Sequence, residues 1–82
     1  MKNDPVKVGV IGVGHLGQHH AKHYKNLSNC DMVGIFDLDD TQSAIISRKY
    51  NIPFYHTLES LVNKIDAVSI EFHENQLLTI FH

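Results

Sequence analysis

Residues 6–17 read VKVGVIGVGHLG, and this stretch decides the fold. Its first half, VKVGVI, is rich in β-branched residues and almost wholly apolar, which predicts a strand covered on both faces. Glycines at positions 12, 14 and 17 break that pattern, and a helical one follows to about Ser28. On a wheel of about 100° per residue, Leu16, Gly17, His20, Ala21, Tyr24 and Leu27 share one side. Gln18, Lys22, Lys25 and Asn26 take the other. That is the split of a helix laid on a sheet.

The same alternation runs on. Residues 32–36 (MVGIF) predict a second buried strand ending at Asp37. The acidic stretch 37–40 suits the positive start of a helix over about 41–50. Asn51 is a left-handed stop, and Pro53 forbids continuation. Phe54 and Tyr55 predict a short third strand, Thr57 an N-cap for a brief helix through Val62, and residues 66–70 (DAVSI) a fourth strand. Strands alternating with helices, without hairpin turns, predict right-handed crossovers and a parallel sheet. The expected fold is α/β: a Rossmann-like open parallel sheet in the order 3-2-1-4, flanked by helices.

Gly12-Val13-Gly14-His15-Leu16-Gly17 has the form G-x-G-x-x-G. Alone the motif is weak; here it follows an apolar strand, opens an amphipathic helix, and has Asp37 twenty residues beyond Gly17. Gly12 allows a tight turn, Gly14 lets a diphosphate approach the backbone, and Gly17 lets the helix pack close to the sheet. Free amides at the helix start bind phosphate oxygens. Asp37 is placed to accept hydrogen bonds from an adenosine ribose, and its charge disfavours a 2′-phosphate. Leu38, Asp39 and Asp40 follow it, with no arginine. The expected cofactor is NAD in preference to NADP, held by Gly12, Val13, Gly14, His15, Leu16, Gly17, Asp37 and Leu38.

Three alternatives compete with this reading. S-adenosylmethionine enzymes carry an acid just before their glycine loop, where Val10 and Ile11 stand here. A flavin site needs more chain than is present. A glycine turn with no ligand is the plainest of the three.

Composition bounds the rest. The 82 residues make one small domain with a thin core, 43% hydrophobic and 20% charged. A net charge of −2 gives no field to hold nucleic acid or an anionic membrane. Cys30 is alone, so no internal disulfide or cysteine-built zinc site is expected. No apolar run approaches the roughly 20 residues of a membrane span, and no secretory signal opens the chain, so a cytoplasmic location is expected. Of seven histidines, His15, His19, His20 and His23 lie in the first helix. His15, His19 and His23 form one stripe without a carboxylate or cysteine beside it, so neither a metal site nor a catalytic role is expected. A protonated His15 would reach a phosphate; His20, on the apolar side, reads as a hydrogen-bonded core residue.

Over about residues 6–70 the sequence resembles the glucose–fructose oxidoreductase, inositol dehydrogenase and rhizopine-catabolism (Gfo/Idh/MocA) family. Beyond the glycine loop, the likeness rests on His20, on Asp37-Leu38-Asp39, on Tyr55 with Thr57-Leu58-Glu59-Ser60-Leu61, and on Asp66-Ala67-Val68. The resemblance implies an NAD(P)-dependent oxidoreductase acting on sugars or polyols. It also implies a catalytic lysine in a Glu-Lys-Pro motif and a second domain, whose positions this chain lacks. Where the family has a Thr/Pro-containing loop, Glu71-Phe72-His73-Glu74-Asn75 stands instead. Residues 1–70 therefore read as the N-terminal part of a dinucleotide-binding domain and 71–82 as a divergent tail. The expected activity is dinucleotide binding without turnover. A nucleotide-sensing or interaction module, or a remnant without ligand, are the other readings. Leu77, Leu78, Ile80 and Phe81 are expected to fold back over the last strand or to pair with another chain, and self-association is expected.

Overall fold

The computed structural model describes residues 4–73 and 76–81. Along the chain run β1 (Val6–Ile11), α1 (His15–Lys25), β2 (Cys30–Phe36), α2 (Asp40–Tyr50), α3 (Leu58–Val62), β3 (Ala67–His73) and β4 (Gln76–Phe81). They build one four-stranded sheet in the order β2-β1-β3-β4. β1 pairs in parallel with β2 on one side and β3 on the other. These three parallel strands with their helices are the Rossmann-like part of the fold.

The expected third strand shrinks to one parallel bridge between Ile35 and Phe54, on the outer side of β2. Ile35 N–H donates to the Pro53 carbonyl at 3.0 Å and Tyr55 N–H donates to the Ile35 carbonyl at 2.9 Å. Pro53 has no N–H to extend the ladder, and Thr57 caps α3 almost at once. The 3-2-1-4 order is thus present only as this rung beside β2.

The other edge carries a strand from the tail, outside the expected parallel set. β4 pairs antiparallel with β3, from Ala67 opposite Phe81 to His73 opposite Gln76. Only residues 74 and 75 separate the two strands, room for an antiparallel return but not for a helical crossover. Of the two expectations for the tail, folding back within the chain is the observed one. The edge of β3 is therefore not the open edge on which the expectation of self-association rested.

Alternation along the strands divides the core into two layers. Val10 and Ile35 pack with Val13, Ala21, Ile46 and Ile52 beneath α1 and α2. Phe36 packs with Leu61 and Ile65 beneath α3, joined by Ile11 and Val68. A bulge inserts Val33 opposite the Val8–Gly9 step, so Val8 faces Met32 and Gly9 faces Gly34.

Helix ends follow local chemistry. Asp39 caps α2 by accepting from Thr41 and Gln42 N–H at 3.0 and 3.2 Å. Asn51 ends that helix at φ 56°. The Lys25 ammonium, from the end of α1, donates to the carbonyls of Tyr50 and Asn51 at 2.7 and 2.8 Å. α1 differs: its N-cap is Gly14, which has no side chain to offer the first-turn amides.

Candidate functional site

The glycine loop leaves β1 at Gly12, whose φ of +84° is one that L side chains avoid. A Cβ there would lie 2.6 Å from the Glu71 carbonyl oxygen. Gly12 N–H donates to the Phe36 carbonyl at 2.8 Å, tying the turn to the end of β2. Gly17 closes the motif, and a Cβ on it would collide with the Gly12 carbonyl. The two glycines let the helix start directly on the end of the strand.

Val13 turns its side chain into the core, where it is fully buried. Its backbone is held from both sides. The N–H donates to Asp37 Oδ2 at 2.8 Å, and the carbonyl accepts from Gln42 Nε2 at 2.9 Å. Asp37 Oδ1 accepts from Asp39 N–H at 2.8 Å. The Asp37 carboxylate therefore faces the glycine loop, and both its oxygens already accept backbone amides. Leu38 beside it is almost fully exposed, at 94%.

Gly14 and His15 begin α1. His15 is exposed and meets the His19 ring edge-on at 5.0 Å. His20 is half-buried rather than a core residue, and it meets the Tyr24 ring at 6.0 Å. Tyr24 carries the polar link from this face to the sheet, its hydroxyl 2.7 Å from the Ser69 hydroxyl. Among the described residues no group of three His, Cys, Asp or Glu side chains is placed to hold a metal ion.

Glu71 was not among the expected site residues. From β3, across the crevice, its carboxylate accepts Leu16 N–H at 3.2 Å on Oε2 and Gly17 N–H at 3.0 Å on Oε1. It supplies the cap that Gly14 cannot. A Cβ on Gly14 would lie 3.1 Å from Glu71 Oε1. The sequence carried a signal: an acid replaces the Thr/Pro-containing loop at the carboxyl end of a strand neighbouring the glycine strand.

These groups converge at the carboxyl ends of β1, β2 and β3. The chain runs from β1 to β2 on one side and returns to β3 on the other, so the crevice lies at the switch point where open α/β sheets bind ligands. A cleft of about 190 Å³ opens there, lined by Ile11, Gly12, Phe36, Asp37, Leu38 and Glu71. Among the described residues its lining includes two carboxylates and neither lysine nor arginine. A larger hollow of about 380 Å³, between α2 and the Phe54–His56 segment, shares none of the glycine-loop residues. No helix among the described residues is long and apolar enough to cross a membrane.

Comparison with known proteins bears on this geometry. A family model described as "Oxidoreductase family, NAD-binding Rossmann fold" matches residues 6–78. UDP-N-acetylglucosamine 3-dehydrogenase of Acidithiobacillus ferrooxidans is 35% identical over 65 residues, covering 79% of this chain and 20% of that protein. A crystal structure of that enzyme superposes with a TM-score of 0.76 at 33% identity, over 82% of this chain and 21% of the other. Myo-inositol dehydrogenase of Lactobacillus casei, solved with NAD(H) and myo-inositol, gives a TM-score of 0.72 at 32% identity, over 82% and 21%. The chain thus spans about a fifth of the length of these relatives. With the glycine loop, the switch-point crevice and a family match over residues 6–78, the chain belongs to the Gfo/Idh/MocA oxidoreductase family, within its NAD-binding Rossmann region.

Proposed function

We propose that this chain is the adenosine- and diphosphate-binding part of an NAD-dependent oxidoreductase of the sugar or polyol type, and that it does not turn over substrate by itself. The observation that carries this is the first turn of α1, where Leu16 and Gly17 N–H hold the two oxygens of an anionic group. A helix start that accepts a carboxylate in this way has the donors a phosphate needs. Gly12, Gly14 and Gly17 would flank the diphosphate, with Val13, His15 and Leu16 contributing backbone around it. Asp37 and Leu38 would border the ribose and adenine.

The cofactor preference for NAD rests on charge. A 2′-phosphate would approach Asp37 with only Asp39 and Asp40 following, and no arginine to neutralise it. When bound, the nicotinamide ring would supply hydride chemistry. This chain's residues would bind and orient the other half of the cofactor, and the groups that hold substrate and move its proton would come from outside the region matched here. The relatives' names support a sugar or polyol as the class of substrate. A cytoplasmic setting accords with NAD chemistry. Self-association, where it occurs, would run through the outer edge of β4, since β3 is paired within the chain.

A second reading, a sensor or remnant without turnover, is favoured by Glu71, which stands where the family resemblance implies a Thr/Pro-containing loop. Calorimetric titration of the chain with NAD and with NADP tests the proposal. Saturable NAD binding, weaker for NADP and lost in Gly14→Val, is the expected result. Absence of any binding with the fold intact selects the remnant.

A further inference from the structure

We infer that Glu71 is an internal competitor for the diphosphate position, so that a dinucleotide enters only when this carboxylate leaves the first turn of α1. The inference rests on the NAD-binding reading above and goes beyond it, because it assigns a residue outside the glycine motif to control of that site.

The geometry is specific. Gln18 N–H is already bonded to the Gly14 carbonyl at 3.1 Å, which leaves the amides of the first turn as the donors for an incoming anion. Glu71 takes two of them with its two oxygens, at 3.2 Å from Leu16 and 3.0 Å from Gly17. The same Oε1 atom lies 3.1 Å from the space a Cβ on Gly14 would fill. That space is the one the motif keeps clear for a diphosphate. A carboxylate and a phosphate oxygen pair cannot both occupy it.

Charge acts in the same direction. A carboxylate bonded to two amides at a helix N-terminus is stabilised by the dipole, as a phosphate would be. Asp37 lines the same cleft, and among the described residues no lysine or arginine lining it offsets either acid. A diphosphate arriving while Glu71 is seated would meet two like charges. Glu71 swinging out would remove one of them and release both donors in a single motion.

Glu71 also caps α1, so a purely structural role has to be separated from competition. Glu71→Gln retains the length and one acceptor oxygen, and Glu71→Thr retracts the side chain. The test titrates the full chain and both variants with NAD and, separately, with inorganic pyrophosphate by calorimetry. Amide NMR shifts of Leu16 and Gly17 are followed alongside.

Competition predicts that both variants bind NAD roughly 10- to 100-fold more tightly than the parent chain, the factor expected for breaking a charge-assisted hydrogen bond. It also predicts that the Leu16 and Gly17 amide signals shift in Glu71→Gln before ligand is added. Variants less stable to heat but unchanged in NAD and pyrophosphate affinity would overturn it and leave Glu71 a cap. Unmoved Leu16 and Gly17 signals would overturn it too. Variants that gain pyrophosphate binding while no form binds NAD would uphold the competition and sink the NAD reading. No binding of either ligand by any form would sink both.

Discussion

The carboxylate of Asp37, just past the end of β2, accepts the N–H of Val13, in the glycine loop that follows β1, across 2.8 Å. The acid expected to meet a ribose therefore also holds the glycine turn in shape. Its other oxygen accepts Asp39 N–H at 2.8 Å, and Asp39 in turn caps α2. Removing the Asp37 carboxylate releases three neighbouring elements at once. Asp37→Ala is expected to lower stability by about 2 kcal/mol, within the range for hydrogen bonds to charged groups. The melting temperature, followed by circular dichroism, should fall by roughly 8–16 °C for a chain of this size. NAD affinity should fall at least tenfold, while NADP loses less, because the charge that disfavoured its 2′-phosphate is gone. Equal losses for the two cofactors would take Asp37 out of the choice between them.

Gly12 and Gly17 answer for the turn itself. Alanine at 12 is strained by its φ of +84° and would also press on the Glu71 carbonyl. Alanine at 17 would collide with the Gly12 carbonyl, a backbone atom that no rotamer change can move. Each substitution is expected to cost about 2 kcal/mol or more. Urea unfolding should show a lower midpoint with an unchanged slope, the mark of lost stability rather than an altered unfolded state. A neutral Gly17→Ala would mean that α1 does not rest on the end of β1.

Much of this was legible in the residues. VKVGVI, the glycine spacing, the acidic stretch before α2, Thr57 as a cap, and Asn51 as a left-handed stop each encode local structure that local chemistry enforces. The misses are non-local. Phe54 and Tyr55 look like a strand, yet Pro53 and the early start of α3 leave a single bridge. QLLTIF can be read as a segment that folds back, but its strand form and antiparallel register come only from its seat on β3. His20 lies on the apolar side of the wheel, but the edge of α1 leaves it half-buried. Glu71 could be seen as a departure from a family pattern. Its seat at the helix start joins residues 54 positions apart in the chain, so the structure between them must fold first.

Ser43, on the buried face of α2, presents a fully buried hydroxyl oxygen that has no hydrogen-bond partner among the described residues. Leaving such a group desolvated costs about 1–3 kcal/mol, and serine is also a poorer helix former than alanine. Ser43→Ala removes one atom and both penalties, against a small loss of packing. The expected gain is about 1 kcal/mol, raising the melting temperature by roughly 4–8 °C. A loss of stability would show that the hydroxyl is satisfied in solution.

The β3–β4 pairing carries the last prediction. β3 has β1 on one side, and β4 covers the other with six matched positions from Ala67–Phe81 to His73–Gln76. Ending the chain at residue 75 would strip that cover from a strand whose Ala67 and Ser69 are buried. Bare N–H and C=O groups along such an edge are a template for another chain. Sedimentation velocity on the shortened and full-length forms, at equal micromolar concentration, should show the shortened one shifted toward dimers and larger species. The shift should grow with concentration, because edge-to-edge pairing is bimolecular. Equal sedimentation of the two forms, with the shortened one still folded by circular dichroism, would mean that β4 does not protect the sheet edge.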